Sequence, residues 1–185
     1  MSDRTTEEYR RHTLLSAFHG GAYKGRIWKN KKLLAEIEGG SIDDVLDKLR
    51  EFVDDQFVTV ASGRQQPTNK EDYVAAFRNI LKDLTDGQLA MLRAHYHAPH
   101  HRITATELAK SADYLNYSAA NLQYGNLGKA LYEEYPLEIP RRTDGSLIYT
   151  FMLATGGGKG ADEKEWVWKL RPEVAAAIET LGLNN

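Results

Sequence analysis

The chain has 185 residues, 42% of them hydrophobic, which is enough for one ordinary domain or two small ones with packed cores. With 26 acidic and 24 basic residues the formal net charge is −2, so any nucleic-acid partner would have to meet a local basic surface rather than a global one. The absence of cysteine excludes disulfide frameworks, thiolate zinc sites and cysteine nucleophiles.

The first thirty residues carry charges throughout, and no apolar run approaches the roughly 18 residues of a membrane span, so a cytoplasmic protein is expected. Residues 5–18 read as a first helix: Thr5 or Thr6 caps it, Glu7 and Glu8 sit in its first turn, and Gly20-Gly21 stop it. AYKGRIWKN and KLLAEIE then alternate as two strands of a β-hairpin turning at Asn30-Lys31. Ser41 caps a following helix whose apolar stripe, Ile42, Val45, Leu46, Leu49, Phe52 and Val53, can cover one face of that hairpin. Residues 60–68, VASGRQQPT, have the composition of a linker.

After the linker, a helix over residues 70–81 presents Tyr73, Val74, Phe77, Ile80 and Leu81, and Thr85 with Gln88 forms a capping box for the next helix, which Pro99 closes. Ile103 suggests a short strand, Thr104 and Glu107 form a second capping box, and a short helix over 105–112 leads to a longer one through NYSAANLQYGNLGKALYEEY. SLIYTFMLA and EWVWKL read as paired strands joined by a glycine-rich loop, TGGGKGADEK, and Pro172 and Gly182 bracket a last helix. The expected class is therefore α+β. A small α-ββ-α unit (residues 1–59) is followed by the linker (60–68) and a winged-helix-like unit (69–185) with a helix-turn-helix and a β-hairpin wing.

On the long helix of that second unit, Ser118, Asn121, Gly125 and Gly128 form a stripe nearly free of bulk, and Asn121 and Gln123 carry amides of the kind that pair with adenine in the major groove. Lys129, Arg141 and Arg142 add local positive charge, and Lys159, within the GGGKG run, could reach a phosphate. That run is not a Walker A loop, because the lysine is followed by Gly160 and no helix follows. A second basic patch, Lys24, Arg26, Trp28, Lys29, Lys31 and Lys32, could bind a nucleic-acid backbone or a partner's acidic surface, or could simply protect strand edges. The histidines of HYHAPHH lack a familiar ligand spacing and suit helix capping or phosphate contact better than metal binding. No catalytic motif is visible, so no enzyme activity, cofactor or metal is expected.

TATELA, NYSAANLQYGNLGKAL and EWVWKLRPEVAAAIETLGL give residues 84–183 a resemblance to a module that precedes the nuclease domain in bacterial HNH-family restriction endonucleases. The resemblance implies DNA reading by Asn121, Gln123 and the wing. These 185 residues hold neither an HNH domain nor the cysteines of a zinc knuckle, so nuclease activity is not implied. The expected function is non-catalytic, sequence- or modification-sensitive binding of double-stranded DNA in bacterial defence or regulation. The alternative is a protein-interaction adaptor or inhibitor in a phage-defence or counter-defence system.

Overall fold

The computed structural model describes residues 4–63, 69–159 and 165–185. The chain is mixed α+β and divides into two compact units, Met1–Ser62 and Gly63–Asn185.

The first unit is an antiparallel meander, β1 (Arg4–Tyr9), β2 (His12–His19), β3 (Ala22–Lys29) and β4 (Lys32–Gly39), with α1 (Ile42–Ser62) packed on one face. Residues 5–18 are thus two strands and not the expected helix, so the unit is ββββα rather than α-ββ-α. The reason lies in the turns. Arg10 and Arg11 both take left-handed φ (45° and 58°), as do Gly20-Gly21 (63° and 82°) and Asn30-Lys31 (49° and 66°). Two residues of positive φ match the twist of a tight hairpin, so all three connections reverse the chain in the shortest way. With that reversal His12, Leu14 and Ser16 alternate inward, and period two prevails.

Val45, Leu46, Leu49, Val53 and Phe57 of α1 are buried with Leu14 and Ile27 of the sheet. Each such side chain stabilises the unit by roughly 1.5–3 kcal/mol. Helix and sheet approach closely at Gly25, where a Cβ would overlap Val45 and Leu49. Ser41 Oγ accepts from the Asp44 amide at 3.1 Å, as the capping pattern predicts. The helix continues to Ser62, so the first residues of the expected linker are helical; residues 64–68 lie outside the described ones.

The second unit runs α2 (Lys70–Ile80), α3 (Asp86–His97), β5 (Arg102–Thr104), α4 (Ala105–Ser111), α5 (Tyr117–Glu134), β6 (Ala154–Lys159), β7 (Trp166–Leu170) and α6 (Pro172–Leu181). Its three strands are antiparallel in the order β5-β7-β6. Both expected capping boxes close: Thr85 with Gln88 at the start of α3, and Thr104 with Glu107 at the start of α4. Gly182 ends α6 in the left-handed conformation, φ 65°.

One expectation fails here. SLIYTFM is not a strand: Tyr149–Met152 forms a 3-10 turn, and the strand is the glycine-rich run that follows it. Tertiary contacts outweigh the β-propensity of that segment. The Tyr73 hydroxyl donates to the Met152 carbonyl at 2.6 Å, Arg171 Nε donates to the Phe151 carbonyl at 2.8 Å, and the Tyr149 carbonyl lies against Gly128. The Tyr73 bond is buried, so Tyr73→Phe should cost about 1–3 kcal/mol, read as a lower urea midpoint with an unchanged slope. An unshifted midpoint would show that the Met152 carbonyl is satisfied without it.

Candidate nucleic-acid interface

Helix α5 is positioned at both ends and along its back. Asn116 caps it by accepting from the Ala119 amide at 3.0 Å, and Asp113, with φ 56°, makes the reversal that brings the chain out of α4. Ala120, Tyr124, Leu127 and Leu131 are fully buried on its inner side. Three neighbours hold that side: Gln88 Nε2 donates to the Gln123 carbonyl (3.3 Å), His95 Nδ1 meets the Tyr124 hydroxyl (2.7 Å), and Gly128 packs on the Tyr149 backbone.

The outer side is the expected low-bulk stripe, with a division of labour among its small residues. Ser118, Asn121, Asn126 and Lys129 are exposed. A Cβ at Gly125 would meet nothing within 4 Å, whereas one at Gly128 would overlap the Tyr149 carbonyl. Gly128 therefore serves internal packing, and Gly125 alone of the pair leaves space on the outside. At about 100° per residue Gln123 points some 200° away from Asn121, so it lies off this stripe and half-buried.

A shallow groove of about 280 Å³ runs along this face, and it brings Asn121, Gly125 and Lys129 together with Arg142 from the loop after α5. Arg141 and Arg142 are exposed, but each is tied to its own turn. Arg141 Nη1 donates to the Gly145 carbonyl (2.8 Å), and Arg142 Nη1 to Ser146 Oγ (3.3 Å) and the Leu147 carbonyl (3.2 Å). Hydrogen bonds from Ser146, with the Arg142 charge nearby, hold the Asp144 carboxyl below its ordinary range. Lys129 stands 4.0 Å from Glu133, a contact at the edge of an ion pair. Lys159 ends β6 opposite Trp166, and its side chain lies outside the described ones.

A second cleft opens at the other end of the stripe, between the starts of α4 and α5 and strand β7. It measures about 430 Å³ and is lined by Ala105, Tyr117, Asn121, Glu165, Trp166 and Trp168. The sequence alone does not bring these residues into one site, although the alternation of Trp166 and Trp168 on one strand face is a readable signal.

The basic patch of the first unit is dispersed by its fold. Lys24 and Arg26 pair across the sheet with Glu38 (3.0 Å) and Glu36 (2.8 Å), their partners in strand register. Lys29 lies over the Phe57 ring at 5.8 Å, on the helix side, while Lys31 and Lys32 are exposed at the hairpin turn. Trp28 stands half-buried opposite Thr13 and Leu33. A depression of about 470 Å³ on the sheet includes both ion pairs in its lining, so its charge is largely balanced.

The histidines around Pro99 cap and pack. His101 Nδ1 lies 2.5 Å from the Tyr96 carbonyl, His97 Nε2 lies 2.8 Å from the Asn184 carbonyl, and His95 is buried. Among the described residues no group of three His or carboxylate side chains could hold a metal ion, and no helix is long and apolar enough to cross a membrane. No protein-family model, no curated protein and no solved structure matches the chain.

Proposed function

We propose that residues 69–185 form a winged-helix-like module that reads double-stranded DNA through the outer face of α5, without catalysis, in a bacterial defence or regulatory role. The order helix, strand, helix, helix, strand, strand with sheet order β5-β7-β6 supports the winged-helix reading, α5 standing where a recognition helix stands and β6–β7 where a wing stands. The observation that carries the functional reading is the groove along α5, where an exposed amide on Asn121 and an open floor at Gly125 adjoin the cations Lys129 and Arg142. An amide at that place can make two hydrogen bonds to an adenine edge, and the flanking cations can hold phosphates.

These two kinds of contact separate experimentally. Asn121→Ala should cost about 1–3 kcal/mol on the preferred site and little on other duplexes. Lys129→Ala should weaken all duplexes alike and lower the salt slope by about one. Binding titrations of parent and variants at several salt concentrations decide this; equal losses on every sequence for Asn121→Ala would take that residue off the reading face. A second reading, a protein adaptor, is favoured by Leu115, Leu122, Tyr117 and Trp166, all exposed around the same helix end. Salt-tolerant association with a protein, together with no retention of DNA at low salt, would establish that reading instead.

A further inference from the structure

We infer that the cleft between the start of α5 and β7 seats one unpaired nucleobase bearing an exocyclic amine; this deepens, and rests on, the DNA reading above. The walls of the cleft are aromatic and held in place. Tyr117 and Asn121 are one turn apart on one face of α5, and Trp166 and Trp168 alternate onto one face of β7 with ring centroids 6.2 Å apart. The Trp166 indole lies over Gly156, where a Cβ would overlap its Cζ2 atom, so glycine in β6 is what lets this ring settle against the strand. Trp168 is backed edge-on by Phe151, at 5.4 Å and 86°. The floor at Ala105 is small, and the volume of about 430 Å³ is that of a small-ligand site.

The polar groups define what enters. Among the described lining residues there is no lysine or arginine, and the carboxylate of Glu165 disfavours a phosphate. Glu165, oriented by the hydroxyl of Thr106, which donates to its Oε1 at 2.5 Å, offers an acceptor for an amine N–H. Asn121 borders the cleft from α5, its amide being the group that reads the paired edge beside it. A flat, uncharged ring with two π-faces and an amine on its edge satisfies all of these at once. Within a paired duplex those faces are covered by neighbouring bases and the Watson–Crick edge, with one of the two amine hydrogens, is spent on its partner. Only a base outside the stack can therefore use the cleft, while the groove farther along α5 engages the paired DNA beside it.

The test compares a fully paired duplex with the same duplex carrying one unpaired adenine, using the full chain, with 2-aminopurine at the unpaired position as a stacking reporter. The unpaired base should raise affinity about tenfold and change the reporter's emission on binding. Trp166→Ala should remove that preference while leaving affinity for the paired duplex unchanged, and Trp166→Phe should keep most of it. Trp166 is half exposed, so these variants should retain the parent's melting curve. Equal affinity for the two duplexes, or a preference that survives Trp166→Ala, would overturn the cleft assignment and leave the helix reading standing. No retention of any duplex by the parent protein would overturn both. A peptide carrying trimethyl-lysine forms the control: Trp166-dependent binding of that peptide, without a preference for the unpaired base, would show that the cleft takes an alkylammonium group instead.

Discussion

Gly128→Val is expected to lower the stability of the second unit by about 3 kcal/mol or more, whereas Gly125→Ala, three residues earlier on the same helix, is expected to raise it by about 0.5–1 kcal/mol. Both glycines sit in the middle of α5, where glycine is a poor helix former, and both read in sequence as members of one small-residue stripe. What separates them is the neighbour. A Cβ at Gly128 meets the carbonyl oxygen and carbon of Tyr149 and the amide of Thr150, and these are backbone atoms of a turn pinned by the Tyr73 and Arg171 hydrogen bonds. No side-chain rotation relieves that overlap, so α5 and the turn must separate and expose Leu127, Leu131 and Met152. At Gly125 the same methyl enters open space, and only the conformational gain remains. Urea denaturation followed by tryptophan fluorescence measures both. A Gly128→Val midpoint equal to the parent's would mean that helix and turn are not in this contact. Gly125→Ala also serves the functional argument: it fills the groove floor between Asn121 and Lys129 in a protein that is more stable, so weakened DNA binding could not be attributed to unfolding.

The parts of this fold that could be read from sequence are those whose signals are local. The capping boxes at Thr85 and Thr104, the Ser41 cap and the Gly182 stop are each satisfied within a few residues, and all four stand where the sequence places them. The apolar stripe of α1 was readable for the same reason. The failures occur where a distant partner decides. Arg10-Arg11 carries no glycine or asparagine to announce a tight turn, and Arg10 there pairs with Asp54 of α1 at 2.6 Å, a contact 44 positions away in the chain. TGGGK reads as a loop until Trp166 and Val167 are laid across it, and SLIYTFM reads as a strand until Tyr73 and Arg171 capture its carbonyls. The candidate site divides in the same way. The exposed amide of Asn121 was visible from helical periodicity, but the pairing of Lys24 and Arg26 with Glu38 and Glu36 required the strand register. The cleft required α5 and β7 to be brought together.

Acidification from pH 6.5 to 4.5 is expected to remove about 2–3 kcal/mol from the second unit, because of one histidine. His95 is fully buried, and burial, which disfavours the imidazolium, pushes its pKa down to about 4; the backbone bond to Trp168 and one to His101 act in the opposite sense. The geometry explains why the neutral ring is wanted. The Trp168 carbonyl, 3.3 Å from Nε2, can only accept, so Nε2 carries the proton and Nδ1 accepts from the Tyr124 hydroxyl at 2.7 Å. That hydroxyl stays protonated, because full burial raises its pKa well above the ordinary tyrosine value. Protonating Nδ1 would set a donor against Tyr124 and place a charge in the core joining α3, α5 and β7. In the unfolded chain the same ring titrates near 6.5, so between 6.5 and about 4 the unfolded state binds the extra proton. The stability is therefore complete above pH 6.5 and is lost as pH falls through that interval. Glu7, Asp44 and Asp144 have carboxyls held below their ordinary values, so their protonation weakens the fold mainly below pH 4.5, outside the range in which His95 acts. Urea midpoints at half-unit pH intervals should trace this fall in the parent protein. His95→Gln, which can keep a donor toward Trp168 and an acceptor toward Tyr124, should be less stable at pH 7.5 and nearly flat from 6.5 to 4.5. A parent midpoint that does not move over that interval would show that His95 enters the charged state without cost, and the buried bond to Tyr124 would then have to be reassigned.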